Sequence, residues 1–119
     1  MNPKTRTVIE FMNDNLQRKL LLAELANSAK ISVTHLGHLF RTDLGMSPGK
    51  YLIKLRMEKA REILAADSVI QVKEVMFSVG LKDKSNFVRR FRKVNGLSPS
   101  EYRAKKTNPP LARNDRKVD

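Results

Sequence analysis

Cysteine is absent from all 119 residues. Disulfides, thiol catalysis and cysteine-ligated zinc are therefore excluded. The absence suits a reducing compartment, and a cytoplasmic location is expected. No stretch approaches the roughly 20 apolar residues that span a bilayer. The opening segment, MNPKTRTVIEFMNDN, lacks the apolar run of a signal peptide. There is no phosphate-cradling glycine loop and no nucleophile–base–acid arrangement, so no enzyme and no cofactor are expected. The two histidines, His35 and His38, stand three residues apart without carboxylate support, so no metal site is expected either. Negative charge is scarce: 12 aspartates and glutamates face 24 lysines and arginines, a formal net charge of +12. That excess favours a polyanionic partner, most simply nucleic acid. The length fits one compact domain or two very small ones fused.

What the chain does contain is a repeat. Residues 31–51 read ISVTHLGHLFRTDLGMSPGKY, and residues 81–102 read LKDKSNFVRRFRKVNGLSPSEY. Leu36, Phe40, Gly45, Ser47, Pro48 and Tyr51 recur as Phe87, Phe91, Gly96, Ser98, Pro99 and Tyr102, each 51 residues on. Upstream the offset is 50, with Leu25 matching Val75 and Ile31 matching Leu81. The second copy thus carries one extra residue within 81–87.

Apolar spacing predicts helices and no sheet. Val8, Ile9, Phe11, Met12 and Leu16 place a first helix over about 5–16. Leu22, Leu25, Ala26 and Ala29 place a second over about 22–29. Ser32 can cap a third, over about 33–43, that carries Leu36, Leu39 and Phe40 inward and ends near Gly45. Ser47-Pro48 opens a fourth, with serine at the cap and proline at the first helical position. It has no interior proline and should run to about Ala66, close to 27 Å at 1.5 Å per residue. A fifth helix is expected over 72–79, ended by Gly80. A sixth starts at Lys84 or Ser85, with Asp83 as a candidate cap, and runs to about Val94. Ser98-Pro99 starts a short seventh holding Tyr102. The two prolines and many charges of KKTNPPLARNDRKVD predict a disordered basic tail over 105–119.

Each copy is a short helix, a tight turn and a longer helix, which is the helix-turn-helix arrangement. The short helix holds the longer one at an angle suited to a DNA major groove. The architecture expected is all-α: a first helix-turn-helix subdomain over 5–47, a linker helix over 48–66, and a second subdomain over 67–104. Gly80 fits a turn that needs positive φ, whereas Lys30 at the matched place means that the first turn tolerates a side chain.

These residues resemble the C-terminal DNA-binding domain of the AraC/XylS family of bacterial transcription regulators. The strongest likeness is VKEVMFSVGLKDKSNFVRRFRKVNGLSPSEYR, residues 72–103, with residues 22–64 resembling the first unit and the linker. The resemblance implies seven helices and two recognition helices in successive major grooves, with a bridging helix that sets their spacing. It also implies a promoter-binding regulator, most often an activator, that contacts RNA polymerase. Many family members carry a sensory or dimerisation domain ahead of this region, and the present chain fits either a stand-alone regulator or an excised C-terminal piece. The sparse contact set of the first copy favours the piece.

The resemblance also implies a set of DNA contacts. Base-reading candidates in the first copy are Thr34, Gly37 and His38. Those in the second are Lys84, Ser85, Val88 and Arg89. Backbone candidates are His35, Arg41, Asn86, Arg90, Arg92 and Lys93. Ser47 and Ser98 fit helix caps, and as caps they can also bring N–H groups near phosphates. Arg89 can offer two hydrogen bonds to guanine O6 and N7, and Val88 can pack on a thymine methyl. Gly37 has no side chain to offer, so the second copy is expected to carry more of the affinity. Arg56 fits either a carboxylate partner or the DNA backbone. Two other readings compete: a non-specific architectural DNA binder and a helical protein–protein adaptor.

Overall fold

The computed structural model describes residues 1–107, which form seven helices. They are α1 (Pro3–Asp14), α2 (Leu22–Ser28), α3 (Val33–Leu44), α4 (Pro48–Ala66), α5 (Val72–Ser78), α6 (Lys84–Asn95) and α7 (Pro99–Thr107). No strand occurs among the described residues. None of the helices is long and apolar enough to cross a membrane.

Helix boundaries follow local chemistry that is itself repeated. Ser32 and Asp83 cap α3 and α6, accepting from the backbone N–H of His35 and Asn86, both at 3.0 Å. Ser47 and Ser98 cap α4 and α7, accepting from Lys50 and Glu101 at 3.3 and 3.1 Å. Glu24 and Glu74 reach back to Leu21 N–H and Gln71 N–H at the heads of α2 and α5. Each such bond satisfies a donor that a helix start leaves unpaired. The helices α3 and α6 stop at Gly45 and Gly96, both left-handed.

The turn inside each unit is the same device twice. Lys30 N–H bonds Asn27 C=O and Ile31 N–H bonds Ala26 C=O; Gly80 N–H bonds Phe77 C=O and Leu81 N–H bonds Met76 C=O. That pattern is a Schellman helix end, which puts its central residue in the left-handed region. Gly80 sits there at φ 81°, and Lys30 sits there at φ 57°. Lys82 is the additional residue of the second copy, between the turn and the Asp83 cap.

Two corrections concern the ends of elements. The first helix stops at Asp14, not near residue 16: Leu16 is buried, but from the turn that follows the helix. The helix α7 continues through Thr107, so residues 105–107 are helical rather than part of a tail; residues 108–119 lie outside the described residues.

Packing divides in two along α4. One core gathers Val8, Met12, Leu25, Leu36, Phe40 and Leu52. The other gathers Met57, Ala60, Leu64, Val75, Phe87 and Phe91. Phe40 meets Tyr51 edge-on at 5.8 Å between ring centroids, and Phe91 meets Tyr102 the same way at 6.1 Å. Edge-on pairs are a favoured aromatic geometry, and both pairs lock the longer helix of a unit to the helix that follows it. The helix α4 serves both cores with one inward stripe, Pro48, Leu52, Arg56, Ala60 and Leu64, at four-residue spacing. The molecule is elongated, 51 × 26 × 22 Å.

Candidate nucleic-acid interface

The faces that α3 and α6 turn away from their cores are matched position by position. On α3 the inward residues are Leu36, Leu39 and Phe40, and the outward ones include Thr34, His35, His38 and Arg41. On α6 Phe87 and Phe91 point inward, and Lys84, Ser85, Arg89, Arg92 and Lys93 are exposed. At an offset of 51, Thr34 corresponds to Ser85, Gly37 to Val88, His38 to Arg89 and Arg41 to Arg92. Each set recurs at helical spacing and so forms one stripe along its helix.

The second face is the better built. Lys84, Ser85, Val88, Arg89 and Arg92 line an open concavity of about 370 Å³. The half-buried Asn86 is a hub for it. Its Oδ1 accepts from Arg89 Nη2 at 2.6 Å and from Arg90 Nε at 2.9 Å. One amide oxygen thus holds two guanidinium groups, which would lower the entropy lost if they engaged an anion. Arg92 lies 3.9 Å from Glu101 on α7, an exposed pair that leaves it available to an anion. Lys93 is exposed beside it.

The first face is thinner. Its one formally charged residue among the candidates, Arg41, lies against Gly37: a Cβ there would stand 3.0 Å from Arg41 Nη1. His38 and His35 are exposed. Among the described residues no group of three or more metal-ligating side chains comes together.

The two serines behave as caps. Ser47 is partly exposed at the head of α4, and Ser98 is buried at the head of α7. There Ser98 N–H donates to Glu101 Oε1 at 2.9 Å while Glu101 N–H donates to Ser98 Oγ, a reciprocal capping box. The bond from the Ser98 N–H, and after it one from the Ser98 hydroxyl, hold the Glu101 carboxyl below its ordinary value. The Glu24 carboxyl is lowered by its bond from Arg18, which it also meets as an ion pair at 2.9 Å.

Arg56 corrects both expectations made for it. Its partners are neither a carboxylate nor an exposed path to DNA. It is 5% exposed and donates to three main-chain carbonyls, those of Leu16, Arg18 and Val79. Asn86 was expected at the edge of the interface, and its role as organiser of two arginines has no sequence signal beyond its i+3 and i+4 spacing to them.

The comparisons with known proteins agree with this geometry. A family described as a helix-turn-helix domain matches residues 25–105. The lactose operon transcription activator of Staphylococcus xylosus is 34% identical over 103 residues, covering 87% of this chain and 37% of that protein. The arabinose operon regulatory protein of Salmonella typhimurium is 31% identical over 105 residues, again covering 87% and 37%. The chain therefore spans a little over a third of the length of these curated relatives. An AraC-type DNA-binding transcriptional regulator from Chromobacterium violaceum superposes with a TM-score of 0.83 at 26% identity, covering 90% of this chain and 95% of that one. The DNA-binding domain of AdpA, solved with a target DNA, shares the fold with a TM-score of 0.80 at 24% identity, covering 91% and 98%. Seven helices in this order, two matched helix-turn-helix units and these likenesses together show that the chain belongs to the AraC-type helix-turn-helix family of DNA-binding domains.

Proposed function

We propose that this chain reads double-stranded DNA sequence-specifically at promoters, with α3 and α6 in successive major grooves. The observation that carries the reading is the pair of matched, outward stripes, Thr34–Gly37–His38–Arg41 and Ser85–Val88–Arg89–Arg92, mounted on two cores along one helix. The helix α4 has 19 residues and is about 28 Å long at 1.5 Å per residue, close to the roughly 34 Å of one DNA turn. In this reading residues 5–47 and 67–104 are the two DNA-reading subdomains and residues 48–66 link them.

On the second helix, Arg89 reads a base, Val88 offers an apolar contact, and Lys84 and Ser85 reach bases or phosphates at the head of α6. Asn86, Arg90, Arg92 and Lys93 hold the DNA backbone and set the register. On the first helix His38 and Thr34 contact bases, Gly37 allows close approach, and His35 and Arg41 meet phosphates. The heads of α4 and α7, capped by Ser47 and Ser98, lie toward the backbone. Activation through RNA polymerase, with a sensory or dimerisation domain joined to this one, completes the proposal. The operon-activator name of the S. xylosus relative supports activation.

The test is selection from a randomised duplex library at physiological salt. Enrichment of two short blocks about one helical turn apart is the expected outcome. Retention without enrichment would make the protein an architectural binder, and no retention at all would make it a protein-interaction module.

A further inference from the structure

The two cores are separate clusters, and the inward stripe of α4 that serves both is interrupted at its middle by a charge. Leu52 belongs to the first core and Met57 to the second; Arg56 lies between them. Its Nη1 donates to Leu16 C=O at 2.7 Å and also to Val79 C=O, and its Nη2 donates to Arg18 C=O at 2.9 Å. Leu16 and Arg18 belong to the turn leaving α1, whereas Val79 ends α5. One guanidinium therefore grips main chain from both helix groups at once. Gly80 closes the junction: a Cβ there would overlap Arg56 Nη1 and stand 2.5 Å from Leu16 C=O.

A buried cation without an acidic partner is costly unless its donors are all used. An apolar residue would continue the α4 stripe at lower cost. What an apolar residue, or a lysine, cannot do is hold three carbonyls in one rigid planar fork. We propose that Arg56 is a positioning residue that sets the mutual orientation of α3 and α6, and through it the base-pair spacing the protein accepts between its two half-sites. This rests on the two-helix DNA reading above. Adding or removing one base pair moves the second block by about 3.4 Å and turns it by about 35°. A latched pair of recognition helices cannot follow that change, and an unlatched pair can.

The experiment measures binding of the wild type, Arg56→Met and Arg56→Lys to duplexes whose two selected blocks are separated by the preferred spacing or by one base pair more or less. For the wild type each change should weaken binding about tenfold or more, as the loss of one or two base contacts does. For the folded variants the discrimination should fall to about threefold or less, while binding to a single block stays unchanged. Loss of stability alone scales all duplexes together and leaves the ratio intact. A folded Arg56→Met that keeps the wild-type ratio overturns the proposal.

A second readout covers a variant that fails to fold. Because the chain has no cysteine, spin labels can be placed singly at exposed Thr42 and Val94, on α3 and α6. The wild type free of DNA should give one narrow distance distribution, and a broad one would sink the proposal without any variant. A wild type with no base preference would instead reject the DNA reading, and the label distances would then decide the orientation role by themselves.

Discussion

His38 and Arg89 hold the same place on matched helices and differ in what they can do there. Arg89 carries a fixed charge and a fork already steadied by Asn86, so it suits paired acceptors on guanine. Arg89→Ala is expected to cost about 1–3 kcal/mol of binding and to relax one base preference. Arg92→Ala should weaken all sequences alike and reduce the salt slope by about 1. Titrations of the two variants at several salt concentrations separate these roles, and a uniform loss from Arg89→Ala would reassign that residue to the backbone. A different residue-scale test concerns Lys30. A side chain at φ 57° costs about 1–2 kcal/mol, part of which glycine returns as unfolded-chain entropy. Lys30→Gly should therefore raise stability by about 0.5–1 kcal/mol in urea unfolding. Gly80→Ala should lower it by more than the strain alone, because the new methyl meets Arg56 and Leu16. The strained lysine was legible from the repeat, since it stands where Gly80 stands. The buried arginine was not: its partners are carbonyls 40, 38 and 23 residues away along the chain, and no local pattern encodes them.

Among elements, the join between α1 and α3 adds polar bonds to its apolar core, and these are expected to make it sensitive to pH. Asp43, on the last turn of α3, accepts from Thr5 Oγ1 at 2.6 Å and from Asn2 N–H at 3.0 Å. Those bonds, that of Thr5 first, hold its carboxyl below the ordinary value. A group lowered on folding stabilises the protein above its unfolded value, and that contribution is lost as pH falls through the folded one. Wild type should thus be more stable than Asp43→Asn near neutrality, with the gap closing on acidification through the carboxylate range. Urea unfolding of both proteins at stepped pH tests this, and a gap independent of pH would assign the effect to packing. The helices themselves were readable because their apolar residues, caps and glycine stops all agree, from Ser32 through Leu36 and Phe40 to Gly45. The end of α1 was misread because Leu16 continues the helical spacing yet reaches the core from a turn. The end of α7 was misplaced because charge density after Arg103 looks the same in an exposed helix and in a tail.

For the whole molecule, a formal charge of +12 predicts binding that weakens steeply as salt rises, with the stripe of α6 contributing more than that of α3. Replacing Lys84, Arg89, Arg92 and Lys93 by alanine should flatten the logarithmic salt plot far more than replacing Arg41, and equal effects would contradict the unequal division of charge. The same inequality has another consequence. A symmetric dimer meets its site identically from either end, because turning it round exchanges identical halves. Here the halves follow one another in a single chain, with a lysine added to the second turn and histidine exchanged for arginine on the outward face. In the proposed two-groove reading, reversing such a molecule on the duplex would put the wrong chemistry over each block. On that reading a bound copy would have a heading along the DNA, like an arrow, and any neighbouring protein would meet one distinct end of it upstream and the other downstream.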